Sequence, residues 1–537
     1  MRTAHVDTFA RDNLPPREQW PEFRFDLPEL QYPERMNCAS VLLDDMVAAG
    51  HGERIALRAP HLDRIIKCTY AQLLAQANRI ANLLVRDMGL KPGNRVLLRG
   101  PNNPMMAASW FAVFKAGGIC VGTMPLLRAK ELTEIVNKAE ITHALCDKRL
   151  AGELELALPN CPTLKQIRYW YDDATDALIQ KRPATFENVD TSAEDVAVIA
   201  FTSGTTGKPK GTMHFHRDVI AMCDCFPRSC LKPTRDDVFI GSPPLAFTFG
   251  LGGLLCFPLR FGASSALVEK FTPETLLESI QKFRATILFT APTMYRALAG
   301  LWKNYDLSSL KKCVSAGEAL PDATRKLFRE ASGIEIIDGI GATEMIHIFI
   351  SHAPEHVKYG ATGHAIPGYT ATVLDGNGER CAPGQIGRLA VKGPTGCRYL
   401  ADDRQKNYVQ NGWNLTGDAY VMDMDGYFHY QARTDDMIIS AGYNIAGPEV
   451  EGALLSHPAV TECAVVGTPD EARGTIVSAF VVLKKDFPPG DEMKKELQEH
   501  VKRNIAPYKY PRAIEFVAAL PRTETGKLQR FKLRTPS

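Results

Sequence analysis

The sequence predicts an α/β protein with a large, multi-lobed N-terminal domain of largely parallel sheets and a small α+β domain at the C-terminus. Two observations lead there. From about residue 60 onward, short β-branched runs alternate with amphipathic stretches of helical period, the signature of strand–helix layers. Near Gln431–Asp436 the composition changes, and the stretch that follows carries strands and a helix of its own. The chain has 537 residues, room for several packing units.

In chain order, buried strands are expected at Arg95–Leu98, Thr142–Cys146, Val196–Phe201, Ser265–Val268, Thr286–Phe289 and Glu335–Asp338. Amphipathic helices are expected at Tyr70–Met88 and Pro273–Phe283. The apolar stretch Met105–Leu127 is interrupted by Lys115, Gly117, Gly118 and Gly122, so it reads as a buried helix followed by a buried strand, not a membrane span. In the C-terminal part, Val460–Val466, Thr475–Leu483 and Ala513–Val517 read as strands and Glu492–Ile505 as a charged helix. The polar junction Ala432–Asp436 suits a hinge, which divides the chain into residues 1–432 and 433–537 with the hinge at 433–436. No internal repeat is visible.

Hydrophobic residues make up 45% of the chain and charged residues 23%, an ordinary globular mix that excludes disordered and fibrous classes. Lys+Arg 63 against Asp+Glu 61 leaves +2, so no charge excess points to nucleic acid or an anionic membrane. The 13 cysteines include no C-x-x-C pair (Cys223 and Cys225 form a C-x-C), a pattern of free thiols in a reducing compartment. The N-terminal MRTAHVDTFARDNLPP has no apolar core, so no secretory signal is expected. A cytoplasmic monomer or homodimer without nucleic-acid or membrane partners is the expectation.

The strongest local signal is Phe201-Thr202-Ser203-Gly204-Thr205-Thr206-Gly207-Lys208-Pro209-Lys210-Gly211. An apolar strand runs into a loop dense in glycine, hydroxyls and lysine. Glycines let backbone N–H groups approach phosphate oxygens, hydroxyls add donors, and lysines neutralise charge. The spacing is not that of a Walker A loop: only two residues separate Gly204 from Gly207, and Pro209 opposes direct entry into a helix.

The stretch Thr202–Gly211 resembles the signature loop of the adenylate-forming superfamily of acyl- and aryl-CoA synthetases, luciferases and peptide-synthetase adenylation domains. Further motifs follow in that family's order: Ala316-Gly317-Glu318, Asp338-Gly339-Ile340-Gly341-Ala342-Thr343-Glu344, Trp413-Asn414-Leu415-Thr416-Gly417-Asp418, Arg433 in Ala-Arg-Thr-Asp-Asp, and Pro521-Arg522-Thr523-Glu524-Thr525-Gly526-Lys527. The resemblance covers nearly the whole chain and implies ATP, Mg²⁺ and coenzyme A as co-substrates and cofactor. It implies that Thr202, Ser203, Gly204, Thr205, Thr206, Gly207 and Lys208 hold phosphates. Ala316, Gly317, Glu318, Asp338, Gly339 and Ile340 then border the adenine, and Asp418 and Arg433 reach the ribose. Lys527, Thr343 and Glu344 are the implied catalytic residues, Glu344 also as the Mg²⁺ ligand. The C-terminal domain becomes a mobile lid pivoting at Asp435, with Ser440, Ala441 and Gly442 lining the path of the thiol.

The chemistry this implies is coherent. A carboxylate is a poor electrophile, and joining it to AMP supplies a leaving group. The catalyst mainly positions the reactants and neutralises charge.

Within the superfamily, Phe247-Thr248-Phe249-Gly250-Leu251-Gly252 and Gly341-Ala342-Thr343-Glu344-Met345-Ile346-His347 are similar to benzoate-type CoA ligases. That implies an aryl pocket of Thr248, Phe249, Gly341, Ala342 and His347 with Phe247 as a gate. An aromatic acid wants flat apolar walls and a few placed polar groups. Thr248 and Phe249 stand where that subgroup commonly carries Ala and Tyr, and the N-terminal HVDTFARDNLPP and Tyr443–Glu451 runs are similar to 2-aminobenzoate–CoA ligases. The expected acid is therefore 2-aminobenzoate, with hydroxybenzoates and benzoate next. An adenylase loading a carrier-protein thiol and a non-catalytic nucleotide-binding protein are the alternatives. A Glu344/His347 metal pair lacks a second half, and His214 and His216 are taken as structural.

Overall fold

The computed structural model describes residues 2–61, 64–202, 209–440, 443–470, 474–523 and 528–534. Two large sheets carry the N-terminal part. The first has six strands in the order Gln166–Trp170, His143–Asp147, Arg95–Arg99, Ile119–Thr123, Val196–Thr202, Lys210–Phe215, parallel except for the final antiparallel pair. The second has nine strands. Its central members, Ile336–Gly341, Lys312–Ser315, Ile287–Thr290, Val238–Gly241, Ser264–Ala266 and Ile55–His61, are parallel, and antiparallel strands close both edges.

The expected alternation is thus realised, with most boundaries moved by a residue or two, while the strands expected to end at Asp338 and Val466 run on to Gly341 and Asp470. Every residue of Arg95–Arg99, Ile119–Thr123 and His143–Asp147 is buried, as parallel strands covered on both faces require. The helix Tyr70–Arg86 opens at a capping box between Thr69 and Gln72. Pro104–Lys115 opens on Asn103, whose side chain accepts from the Met106 N–H. Trp110, Phe111 and Phe114 of that helix are wholly buried between the sheets, each worth roughly 1.5–3 kcal/mol of transfer free energy. Met105–Leu127 is accordingly a buried helix followed by the buried strand Ile119–Thr123. No helix of the described residues is long and apolar enough to cross a membrane. All the cysteines are free thiols.

A third lobe was not anticipated. Thr370–Leu374, Ile386–Lys392, Val409–Gln410, Trp413–Met422 and Phe428–Arg433 form a five-stranded, wholly antiparallel sheet, so the parallel expectation holds for the two large sheets only. These strands are half-buried and mix polar with apolar residues, so they lack the continuous apolar runs that betray parallel strands.

The C-terminal part has its own core of Val450, Leu454, Val465, Val477, Val481, Leu497 and Val501, under a three-stranded sheet and two helices. It meets the large part at two arginines. Arg296, on helix Pro292–Leu301, donates to the carbonyl oxygens of Thr461 at 3.1 Å, Val460 at 3.2 Å and Leu455 at 3.3 Å. Arg522 lies 3.5 Å from Glu318 and 3.0 Å from Glu462.

Candidate active site

In open parallel sheets, ligands gather beyond the carboxyl ends of the strands. Here those ends deliver the sequence-predicted residues to one rim. Ala316-Gly317-Glu318 follows the strand Lys312–Ser315, and Asp338 to Gly341 complete the adjacent strand. The segment Phe247–Phe249 follows Val238–Gly241 two strands away.

On the nucleotide side, Gly317 takes φ +90°, a conformation that glycine adopts freely. Asp338 is buried. Its N–H donates to His352 Nε2 at 3.2 Å, and its carbonyl accepts from Ser351 Oγ at 2.6 Å. One carboxyl oxygen of Asp338 has no hydrogen-bond partner among the described residues, and burial lifts its pKa to about 7. Gly339 is compelled by Ile348, whose side chain would stand 2.9 Å from a Cβ there, while Ile340 packs against the core.

Asp418 and Arg433 face each other across the pair of strands Trp413–Met422 and Phe428–Arg433. Arg433 Nη1 donates to Asp418 Oδ1 at 3.0 Å and to the Thr416 carbonyl at 2.9 Å. Between them Gly417 takes φ +77°, and a Cβ there would lie 2.6 Å from Arg433 Nη2. Burial raises the Asp418 pKa against the opposing pull of Arg433.

Glu344 is buried in the short turn Thr343–Met345. Its Oε1 accepts from Tyr399 Oη at 2.5 Å and lies 3.7 Å from Lys210 Nζ, which donates to the same Tyr399 Oη at 3.1 Å. His214 Nε2 sits 2.8 Å from the Thr343 carbonyl and steadies the turn from behind. His216 opens a helix and meets Cys38 Sγ at 3.2 Å, so the two histidines serve different places. The segment bearing Tyr399 is anchored by the wholly buried ion pair of Arg398 with Asp218.

On the other side of the turn, His347 is 3% exposed and caged by rings: Phe257 edge-on at 4.5 Å between centroids, Phe249 at 5.6 Å and Phe226 at 6.1 Å. Neither ring nitrogen makes a hydrogen bond of good geometry among the described residues; the Phe249 backbone is the one polar group close enough to favour the ring's proton. Burial depresses its pKa to about 3, so the imidazole is neutral and offers one donor and one acceptor. Gly252 makes this possible, since a Cβ there would stand 2.4 Å from His347 Cδ2. Thr248 begins a short helix beside Phe249, and Phe247 caps it. Gly341, named above in the implied aryl pocket, is crowded by the chain itself, since a Cβ would lie 2.9 Å from the His347 carbonyl oxygen. Glu344 and His347 face different surroundings, and no group of three or more His, Cys, Asp or Glu among the described residues could hold a metal.

Thr202 ends its strand at the glycine-rich loop, its buried hydroxyl unpartnered among the described residues. The chain re-emerges as the strand Lys210–Phe215, in keeping with Pro209 opposing a helix. Ser203, Gly204, Thr205, Thr206, Gly207 and Lys208 lie outside the described residues, as do Ala441, Gly442 and Lys527. Asp435 falls in the turn Thr434–Asp436 directly after Arg433, and Ser440 ends the strand Ile438–Ser440. Sequence reasoning missed Tyr399, Phe226 and Phe257, which carry no motif, and gave no role to Gly252, the last residue of the Phe247–Gly252 run. Lys210 stood inside the loop motif but was given no role.

A rim of strand-end turns and a ring-lined cage thus meet at one turn, Thr343–Met345. Comparison with known proteins gives the affiliation: residues 45–399 match the AMP-binding enzyme family and residues 449–527 the AMP-binding enzyme C-terminal domain, and the chain belongs to this family. It is 34% identical to benzoate–CoA ligase of Thauera aromatica, over 95% of this chain and 97% of that protein. It is 32% identical to 4-hydroxybenzoate–CoA/benzoate–CoA ligase of Rhodopseudomonas palustris, over 93% and 94%. The crystal structure of the anthranilate CoA ligase AuaEII with anthranoyl-AMP superposes with a TM-score of 0.89 at 33% identity, covering 94% of this chain and 98% of that one. The chain is an AMP-forming CoA ligase of the benzoate-type subgroup, a class that uses ATP, Mg²⁺ and coenzyme A. The donor set suits Mg²⁺: a small hard cation that keeps waters and phosphates needs only one or two carboxylates, and Glu344 supplies one.

Proposed function

We propose that this enzyme activates 2-aminobenzoate as its acyl-adenylate and passes the acyl group to coenzyme A, releasing AMP and pyrophosphate. The observation that carries this reading is the neutral imidazole of His347 inside the ring cage, where the Phe249 backbone can serve one ring nitrogen and the other has no partner among the described residues. A buried acceptor left unpaired costs free energy, so the site favours an acid whose ring brings an amino or hydroxyl donor over plain benzoate. The structural likeness to an anthranilate CoA ligase supports the same choice.

In this reading the acid's ring lies against the Phe249 and His347 rings, with Thr248, Gly341 and Ala342 beside it and Phe247 at the gate. Its carboxylate attacks the α-phosphorus of ATP, and pyrophosphate leaves. Thr202 to Lys208 bind the outer phosphates, Ala316 to Glu318 and Asp338 to Ile340 border the adenine, and Asp418 with Arg433 holds the ribose. Lys527, with Thr343, neutralises the α-phosphate and carboxylate oxygens. Glu344 would hold Mg²⁺, which supplies charge neutralisation at the phosphates when bound.

Residues 433–537 act as a lid hinged at 433–436 with Asp435 as pivot, and Ser440, Ala441 and Gly442 then border the thiol's path. The enzyme works in the cytoplasm as a monomer or homodimer.

A pyrophosphate-release screen over 2-aminobenzoate, salicylate, 3-hydroxybenzoate and benzoate, with and without coenzyme A, tests the proposal. The expected result is the highest kcat/KM with 2-aminobenzoate and CoA-dependent thioester formation. Preference for plain benzoate would remove the substrate assignment. Acyl-AMP accumulating without turnover on CoA would point to a carrier-protein thiol instead.

A further inference from the structure

Between Glu344 and His347 the chain passes through Ile346 at φ +65°, ψ −37°. Among the described residues it is the only β-branched side chain with positive φ. Glycine would adopt this backbone freely, whereas a branched side chain is held there against its own preference. Strain of this kind persists only where the surroundings over-determine it.

The surroundings here do so. Ile346 is wholly buried in the main core. Just before it, the Met345 carbonyl accepts from Thr395 Oγ1 at 2.8 Å, and Thr395 is itself 2.7 Å from Tyr369 Oη. The Ile346 N–H closes the turn onto the Thr343 carbonyl at 3.1 Å. Just after it, Ile348 pairs with Gly341 in the antiparallel ladder.

The reversal has a chemical consequence. Residues three apart on a regular helix share a face. Here Glu344 turns to Tyr399 and Lys210, while His347 turns into the cage of Phe226, Phe249 and Phe257.

We propose that Ile346 is a positioning residue for substrate selection: its strained, core-anchored turn aims the His347 ring and holds it apart from Glu344. The inference rests on the aryl-acid reading above, with His347 as the group that reads the ring substituent. It predicts that Ile346 sets selectivity among acids without setting nucleotide affinity.

The test compares Ile346→Gly, Ile346→Ala and Ile346→Val. Glycine and alanine both remove the buried anchor, but only glycine also relieves the backbone. The expected result is that the kcat/KM ratio for 2-aminobenzoate over benzoate falls about tenfold or more in Ile346→Gly while the KM for ATP stays within about twofold. Ile346→Val retains the selectivity, and Ile346→Gly melts no lower than Ile346→Ala, against the usual cost of glycine. A purely structural residue would instead raise the KM values for acid and ATP together and leave the acid preference intact, and that result would overturn the proposal. If the wild-type enzyme showed no preference among these acids, the aryl-acid reading would fail with it. A selective wild type with an equally selective glycine variant sinks this inference alone.

Discussion

At the residue scale, two buried titratable groups at the site are pushed in opposite directions by the same cause. Loss of water disfavours charge, so His347 falls to about 3 and Asp338 rises to about 7. His347 therefore stays neutral at any working pH, and selectivity at the ring is expected to be flat across the neutral range. Replacing it isosterically with an apolar group, His347→Leu, should lower kcat/KM for 2-aminobenzoate by roughly 10–100-fold and leave that for benzoate nearly unchanged or raised; steady-state kinetics with the two acids checks this. Asp338 makes a stability prediction. Its folded pKa lies above the ordinary value of 3.8, so the folded chain keeps a proton that the unfolded chain has lost. The stability tied to this proton is fully present below about pH 4 and is lost as pH rises through about 7. Asp338→Asn should accordingly stabilise the protein by about 1–3 kcal/mol at pH 8, the gain shrinking below pH 7 in denaturant titrations at several pH values. A gain that grew on acidification would contradict the burial argument.

At the scale of elements, the Asp418–Arg433 pair, proposed to hold the ribose, depends on a kink within one strand. Gly417 carries φ +77° inside Trp413–Met422, and the space its missing side chain leaves is filled by the Arg433 guanidinium. Gly417→Ala should strain the backbone and displace Arg433 at once. The expected outcome is a KM for ATP raised about tenfold with the KM for the aromatic acid within twofold, read from initial rates at saturating partner substrate. The motif Trp413–Asp418 was legible in the sequence, but the antiparallel sheet around it was not. Its half-exposed strands alternate polar and apolar residues over short runs, and its turns, such as Asp423-Met424-Asp425-Gly426, read equally well as loop. The parallel strands were legible for the opposite reason: burial on both faces demands unbroken apolar runs.

At the scale of the whole molecule, Arg296 joins the two parts. Its guanidinium binds three main-chain carbonyls at the end of helix Gly447–Leu455 and the strand that follows, where the helix dipole favours a cation. Arg296→Ala removes charged donors worth roughly 1.5–3 kcal/mol each and should loosen the C-terminal part. Limited proteolysis should then cut faster at residues 433–436, and ATP–pyrophosphate exchange should fall more than thioester formation from preformed aryl-AMP. Equal loss in both half-reactions would argue against a lid role. Arg522, reaching Glu318 in the turn after Lys312–Ser315, is a second contact between the two parts.

The sequence by itself determined the layered α/β architecture, a C-terminal stretch with strands and a helix of its own, and the family to which its ordered motifs belong, because each is written in local pattern: apolar period, loop chemistry and motif spacing. Tertiary structure alone decided which distant side chains complete the site. Tyr399 on Glu344, Phe226 and Phe257 around His347, and the strained Ile346 between them answer to no local rule. Their meeting is a property of close packing, in which a side chain's role is set by neighbours tens or hundreds of residues away, and no periodicity along the chain records it.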